Sequence, residues 1–396
     1  MRRLWLTDFR NYRQAELSLP DGLTVLVGGN GEGKTNLLEA AGYLATLESF
    51  RGAPNEALVR QGAARAVVRG EGERGGRTIL VEAEVVASGR GRATLNRQPL
   101  RRSADLLGAI RVSVFSPDDL ELVGGAPAAR RRYLDTTLAA LHPRYDAVRR
   151  DFERVLRQRN RLLSQAAGSR AGRPPSGESR SDDVMSTLDV WDRKLTETGE
   201  ALADARADLV ERLAPAVAEA YGRLAGQPGA GQPGPGDTPE AELGPVEVRY
   251  DAPWRGEGLA AALAGSRAEE LRRGVSLVGP HRDDLTLALA PRRGGDGTAP
   301  RLAARTHASR GEQRSLALAL RLAAHHVVTD SVGEAPLLLL DDVFSELDEH
   351  RAQALLDHLP PGQAILTTAG SVPLGAAPEA VFRIDDGDIS PVAALR

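Results

Sequence analysis

One octapeptide limits what this chain can be more than any other stretch of it. GGNGEGKT, Gly28–Thr35, has the form G-x-x-x-x-G-K-[ST] and lies between the apolar run LTVLV and the helical run NLLEAAGYLATL. In a strand–glycine loop–helix setting, successive backbone N–H groups can wrap phosphate oxygens, and the helix N-terminus adds its partial positive charge. Composition alone predicts roughly 0.002 such matches in a chain of this make-up. Of 51 basic residues only two are lysine, Lys34 and Lys194. One of the two exceptions falls where the loop needs a compact ammonium rather than a planar fork. The loop residues Gly28, Gly29, Asn30, Gly31, Glu32, Gly33, Lys34, Thr35 and Asn36 are therefore expected to bind nucleotide. Lys34 would neutralise the β and γ phosphates, and the Thr35 hydroxyl would hold Mg²⁺.

Two motifs far downstream extend that reading. PLLLLDD, Pro336–Asp342, reads as a buried strand ending in two carboxylates, although a core strand running into an acidic turn would look alike. In the nucleotidase pattern Asp341 holds Mg²⁺ and Asp342 polarises the attacking water, which makes Asp342 the candidate catalytic carboxylate. VFSELD follows and looks like the D-loop of an ABC ATPase, with Ser345 and Asp348 as its polar members. SRGEQ, Ser309–Gln313, opens the run RSLALALRLAAHHVV and looks like an ABC signature, with Ser309, Gly311 and Gln313 in the expected places. Ser309 and Glu312 also form a capping-box pattern, and a capped helix start is itself an anion site. In ABC ATPases the signature faces the nucleotide of the partner subunit, so this resemblance implies an ATP-dependent homodimer. A GTPase is excluded, because neither lysine lies in an [NT]-K-x-D pattern.

The motifs sit in regions of different texture. Residues 1 to about 125 read as short strands (Leu4–Leu6, Ala15–Leu19, Leu23–Val27, Ala66–Arg69, Thr78–Val86, Arg92–Leu95 and Val112–Phe115). Residues 126–245 contain no convincing strand. There Tyr145, Val148, Phe152, Val155 and Leu162 keep a three-four spacing, broken by Arg159 at the seam. Leu188, Trp191, Leu195, Thr198, Leu202, Ala205 and Leu209 repeat it. Joined by the low-complexity GSRAGRPPSGESRSDD, they read as an antiparallel hairpin with a first arm of ~33 Å, or as an ordinary two-helix packing. GQPGAGQPGPGDTPE then reads as a tether, and strands return from Val246. The expected architecture is an α/β head of residues 1–125 and 246–396, interrupted by an inserted all-α lobe of residues 126–245.

Composition sets limits on the partners. With no cysteine there is no disulfide or thiolate metal site. No apolar run approaches the roughly 20 residues that cross a bilayer, and the opening MRRLWLTDFR has no signal-peptide core. A cytoplasmic protein without membrane contact is expected. The net charge of −3 means that any nucleic-acid surface is a local patch. Residues 126–165 hold ten arginines and four acids (10 − 4 = +6). Arg130, Arg131, Arg132, Arg149, Arg150, Arg154 and Arg157 are thus candidates for phosphate contact, with an ion-paired, solvated helix face as the equal alternative. Aromatic residues make up 4% of the chain, which disfavours single-strand stacking and favours sequence-independent binding of duplex, gapped or junction DNA.

A membrane transporter's ATPase subunit usually lacks a helical hairpin between P-loop and signature, and carries a histidine after Walker B. Here AILTT ends in Thr367 and Thr368. The motif order instead resembles the SMC branch of P-loop ATPases, with a stump for a coiled coil. LWLTDFRNY, GGNGEGKTNLLEA, VFSPDDLELVGGAPAARRRYLD, GPHRDDL, SRGEQRSLALALRLA and LLLDDVFSELD, spanning residues 4–348, resemble RecF family signatures in RecF order. The resemblance implies an ATP- and DNA-binding recombination mediator with slow ATP hydrolysis. RecR and RecO are the implied partners in placing a recombinase at gaps. A structural, SMC-like DNA tether is the competing reading. Asp342 stands where most ABC ATPases have glutamate, and the shorter side chain agrees with slow turnover. The resemblance also implies that Arg10 and Asn11 help seat the nucleotide, where a plain surface turn is the alternative. His281–Asp284 fits a salt-bridged turn or a metal site, and His325 and His326 fit structural positions on a helix.

Overall fold

The computed structural model describes residues 1–89, 91–171, 178–225, 246–290 and 301–392. The first low-complexity segment lies partly outside these residues, and the proposed tether Gly226–Glu240 lies wholly outside them. The chain opens with β1 (Arg3–Phe9), β2 (Tyr12–Ser18) and β3 (Leu23–Val27), then α1 (Lys34–Thr46) and α2 (Asn55–Leu58). Strands β4 (Arg65–Arg74), β5 (Arg77–Val86), β6 (Arg92–Leu95), β7 (Gln98–Pro99) and β8 (Val112–Phe115) follow. Next come α3 (Leu120–Gly124), α4 (Pro127–Leu141), α5 (Pro143–Ala171) and α6 (Glu178–Leu224). Then come β9 (Val246–Asp251), α7 (Leu259–Arg273), β10 (Asp284–Leu289), β11 (Leu302–Ala303), α8 (Ala304–His307) and α9 (Arg310–Val332). The last elements are β12 (Leu337–Leu340), α10 (Glu349–Asp357), β13 (Ala364–Thr368), β14 (Ala380–Asp385) and β15 (Asp388–Pro391).

Two six-stranded sheets enclose α1. One is antiparallel, in the order β2-β1-β4-β5-β6-β7; the other runs β15-β14-β3-β13-β12-β8 and is parallel from β14 to β8. The run LLLL of β12 explains why the second sheet is central. Leu337 and Leu339 pack toward α1, Leu338 and Leu340 toward α9, and all four are buried. A strand covered on both faces loses the polar alternation of a half-exposed one. Because α1 lies between the sheets, it is apolar nearly all round, burying Leu37, Leu38, Ala40, Ala41, Tyr43, Leu44 and Ala45.

Strands return at Val246, as the sequence leads one to expect, but the first of them do not join that parallel sheet. β9 and β10 pair antiparallel in a separate three-stranded sheet with β11, packed on α6. The reason is legible in β9, where Val246 and Val248 are buried while Glu247 and Arg249 are exposed. Such a strand has only one apolar face. The chain rejoins the central sheet at β12.

The helical pair is antiparallel, since Leu163 packs with Leu188, Arg159 meets Asp192 and Phe152 lies beside Gly199. It is longer than the spacing indicates: α5 has 29 residues and α6 has 47, so α6 runs ~70 Å. Beyond the hairpin, Leu209, Leu213, Val217 and Tyr221 of α6 pack in the same core as α9. Arg159, the break in the seam, is buried and bonded to Asp192, Glu270 and Ser276, so α7 and its following turn are fastened to the hairpin. Among the described residues no helix is long and apolar enough to cross a membrane.

Candidate functional site

Parallel sheets gather chemistry at the carboxyl ends of their strands. Here β3, β13 and β12 are neighbours, so the glycine loop after Val27, the pair Thr367–Thr368 and the pair Asp341–Asp342 arrive at one edge. Thr35 Oγ1 donates to Asp341 Oδ1 at 2.7 Å, and Thr367 Oγ1 donates to the same oxygen at 2.9 Å. The Asp342 backbone N–H donates to Thr367 Oγ1 at 2.8 Å. The two residues assigned to Mg²⁺ are therefore in contact, although 306 positions separate them. Burial pushes the Asp341 carboxyl up, against the hydrogen bonds from Thr35 and Thr367 and the charge of Arg51. Hard oxygen donors of this kind suit Mg²⁺.

Lys34 is buried and donates to the carbonyls of Gly28 (2.9 Å) and Gly29 (2.6 Å), which draws the loop into a ring around its ammonium. Desolvation lowers its pKa, opposed by the charges of Asp342, Asp341 and Glu32. Two glycines are required by close approach. A Cβ on Gly28 would lie 2.3 Å from the Ile384 carbonyl oxygen, and one on Gly33 (φ +114°) would lie 2.5 Å from Asn11 Nδ2. Asp342 has φ +48°, unusual for a non-glycine residue. Its Oδ1 is buried without a hydrogen-bond partner among the described residues. Beside it is a cavity of about 40 Å³ lined by Ser116, Asp119, Arg314 and Leu318 among others.

Neighbouring turns brace the loop. Arg10 forms a two-pronged pair with Glu39 (2.7 and 2.8 Å) and also donates to the Ala57 carbonyl. Asn11 donates to the Glu32 carbonyl at 3.0 Å and accepts from Asn36 Nδ2 at 2.8 Å. Tyr12 donates to the Gly33 carbonyl at 3.0 Å. Asn30 and Gly31 are exposed at the loop's crest. Glu32 turns the other way, its carbonyl accepting from Gly387 N at 3.2 Å.

Ser309 caps α9. Its Oγ accepts from Glu312 N at 3.3 Å, and Glu312 Oε2 accepts from Ser309 N at 2.8 Å. Gln313 donates to the Ala308 carbonyl, and Gly311 lies against the Arg351 guanidinium, itself bonded to Asp348. Ser345 donates to the Asp342 carbonyl at 2.8 Å, and Asp348 caps α10. The signature and D-loop residues thus bond locally, Arg351 lies between Gly311 and Asp348, and Ser309 stays exposed.

Three residues of the site carry weak sequence signals. Glu39 is wholly buried as the anchor of Arg10. A buried acid within the helix after the loop was the available hint. Thr367 lies on a strand noted only for lacking histidine. Arg51 is exposed near Asp341, in a loop with no motif of its own.

The arginine candidates of the lobe need correction. Arg130 is buried and paired with both oxygens of Asp284 (2.7 and 2.8 Å), so no phosphate can reach it. Arg131 donates to the Asp283 carbonyl. Arg149 and Arg150 pair with Asp146, Arg154 with Asp151 and Arg157 with Glu153. Of the seven, only Arg132 is exposed with no acidic partner among the described residues. The acids lie three or four residues from their arginines, the spacing at which helical side chains meet. His281–Asp284 is a fastened turn: Asp283 accepts from Tyr250 and Trp254, and among the described residues no three His, Cys, Asp or Glu side chains cluster as metal ligands. His325 is buried against Ser113, whereas His326 is exposed.

Residues 1–372 match the model of the RecF/RecN/SMC N-terminal domain. The DNA replication and repair protein RecF of Frankia alni is 47% identical over 368 residues, covering 92% of each chain. The protein of the same name from Streptomyces avermitilis is 45% identical over 366 residues, again covering 92% of each. The solved recombination mediator protein RecF-ATPrS of the RecFOR pathway superposes with a TM-score of 0.82 at 26% identity, covering 99% of this chain and 98% of that one. The Smc head domain of Pyrococcus furiosus shares the fold, with a TM-score of 0.54 at 16% identity, covering 99% of this chain and 95% of that one. With an ABC-type, SMC-like head, the glycine loop and carboxylate pair at one sheet edge, and these relatives along nearly its whole length, the chain belongs to the RecF family.

Proposed function

We propose that the chain is an ATP-dependent, DNA-binding recombination mediator with weak ATPase activity. It binds duplex, gapped or junction DNA as an ATP-induced homodimer and, with RecR and RecO, helps load recombinase at single-strand gaps. The convergence of Thr35, Thr367 and Asp341 beside Lys34 carries this reading. Lys34, already centred by loop carbonyls, takes the β and γ phosphates, while the loop N–H groups cradle them. Thr35 and Asp341 would hold Mg²⁺, which neutralises phosphate charge. Asp342, fixed through its backbone by Thr367, orients the attacking water. The exposed Ser309 helix start is turned to the γ-phosphate of the opposite subunit, so each site needs two chains.

Mixing tests the shared site. Lys34→Arg and Ser309→Arg chains are each inactive alone, and together they regain part of the ATPase rate, through one site built from the two wild-type halves. Failure to regain activity, with a Ser309→Arg chain that still dimerises in ATP, would overturn the proposal. A cap loss alone costs only about 0.5–2 kcal/mol of helix stability and leaves dimerisation intact.

A further inference from the structure

Of the seven helical arginines that the sequence offered to DNA, four pair with acids of their own helix, and Arg130 and Arg131 bond to Asp284 and Asp283. Arg132 alone is exposed without an acidic partner among the described residues, so a denser set of unpaired cations lies elsewhere on the surface. Val85 to Ala104 contains five arginines (Arg90, Arg92, Arg97, Arg101 and Arg102) and no aspartate or glutamate, a local charge of +5 in a chain of net −3. Within it, Arg92–Pro99 forms the outer edge of the antiparallel sheet, where β6 pairs with β5 on one side and the two-residue strand β7 on the other. Arg92, Arg97, Arg101 and Arg102 are all exposed. Nearby acids are committed: Glu84 to Arg65, Glu82 to Arg69, and Asp105 Oδ2 to the Arg102 backbone N–H. Among the described residues no ion pair engages these four guanidinium groups.

The turn between β6 and β7 sharpens the picture. Asn96 and Arg97 have φ of +50° and +67°, as the two central residues of a tight hairpin turn require. Glycine is the residue usually preferred at the second of these positions; here an exposed arginine occupies it, lining a cleft with Arg69, Leu80, Glu82 and Thr94. Among the described residues Trp5 is the one aromatic side chain on this outer face, three strands from β6 and in register with Arg69, so a base-stacking platform is lacking. Cations without aromatics suit a phosphodiester backbone rather than unstacked bases.

We propose that the β6–β7 edge, through Arg92, Arg97, Arg101 and Arg102, is a binding surface for the phosphate backbone of duplex DNA. It rests on the reading that the chain binds DNA at all. The surface lies on the antiparallel sheet rather than on the α5 face, and its contact is independent of sequence. Each phosphate neutralised releases counterions, contributing about 0.9 to the slope of log affinity against log salt.

The test uses the full chain with ATP and a fluorescent 40-base-pair duplex, titrated from 50 to 200 mM salt. Arg97→Gln/Arg101→Gln/Arg102→Gln should make the slope shallower by about 2.7 for three lost contacts. Binding of a fluorescent ATP analogue and the melting temperature should be unchanged. The pair Arg101→Gln/Arg102→Gln, which leaves the turn intact, should lose about 1.8. Arg149→Gln/Arg154→Gln/Arg157→Gln on α5 should leave the slope alone. If the edge variants keep the wild-type slope while the wild type binds the duplex, the arginines merely guard an exposed strand edge and the proposal is wrong. If the wild type fails to bind duplex in any nucleotide state, the DNA-binding reading itself falls, and this surface with it.

Discussion

Replacing Arg159 by leucine removes the cation from a cluster sealed from water. The Arg159 and Glu270 side chains are both 0% exposed, with 2.7 Å between Nη2 and Oε2. Nε pairs with Asp192 at 2.6 Å, and Nη1 donates to Ser276 Oγ at 2.8 Å. Without the guanidinium, Glu270 is left charged in the junction of α5, α6 and α7, retaining only the Leu277 N–H on its other oxygen. Stranding a buried charge in this way costs about 3–5 kcal/mol. Asp192 contributes little to that figure, because it is 17% exposed and keeps Arg267 at 3.8 Å. The double variant Arg159→Leu/Glu270→Gln removes both charges yet preserves an acceptor for Leu277. It should recover all but about 1–2 kcal/mol. Urea unfolding followed by Trp191 and Trp254, which pack beside this junction, reads the effect once Trp5 is replaced by phenylalanine. A single variant that costs under about 1 kcal/mol, or a double variant no more stable than the single, would refute the claim that this pair fastens the lobe.

His325 sets an acid limit on stability. Burial holds its pKa down at about 4, against an ordinary value of 6.5, so the folded state favours the neutral ring. The stability this contributes is complete above pH 6.5 and is lost as pH falls toward 4, up to roughly 3 kcal/mol. His281, also lowered to about 4 by burial, titrates in the same window. Melting temperatures between pH 4 and 7.5 should fall on the acid side less steeply for His325→Leu than for the wild type, and parallel curves would contradict this account. Gly33→Ala should cost about 1–3 kcal/mol of backbone strain and displace Asn11 and Tyr12. ATP affinity measured by calorimetry should drop at least tenfold, and wild-type affinity would show that the loop does not need this glycine.

Legibility in the sequence followed the range of each interaction. The glycine loop, the LLLL strand and the Ser309 cap were readable because their physics is local: a turn, two covered faces, a side chain reaching three residues ahead. The meeting of Thr35 with Asp341 was legible only as a motif pairing. Its geometry depends on β13 lying between β3 and β12 and placing Thr367 against the carboxylate. The arginine-rich helix misled for the opposite reason. Charge counted along the sequence includes Asp146, Asp151 and Glu153 but not the helical spacing that sets them beside particular guanidinium groups, and it omits Asp284, which reaches Arg130 across 154 positions.

The sequence by itself determined the class of ATPase, the glycine loop between strand and helix and the presence of two heptad-spaced helices, since each is written in contiguous residue types and their spacing. Only the tertiary structure decided where Val246–Asp251 pairs, why an arginine interrupts the hairpin seam, and which arginines remain available to a partner. Those outcomes depend on long-range neighbours. An isolated arginine is the same residue in solvent or in a core, and its role is fixed by the acid the fold brings to it.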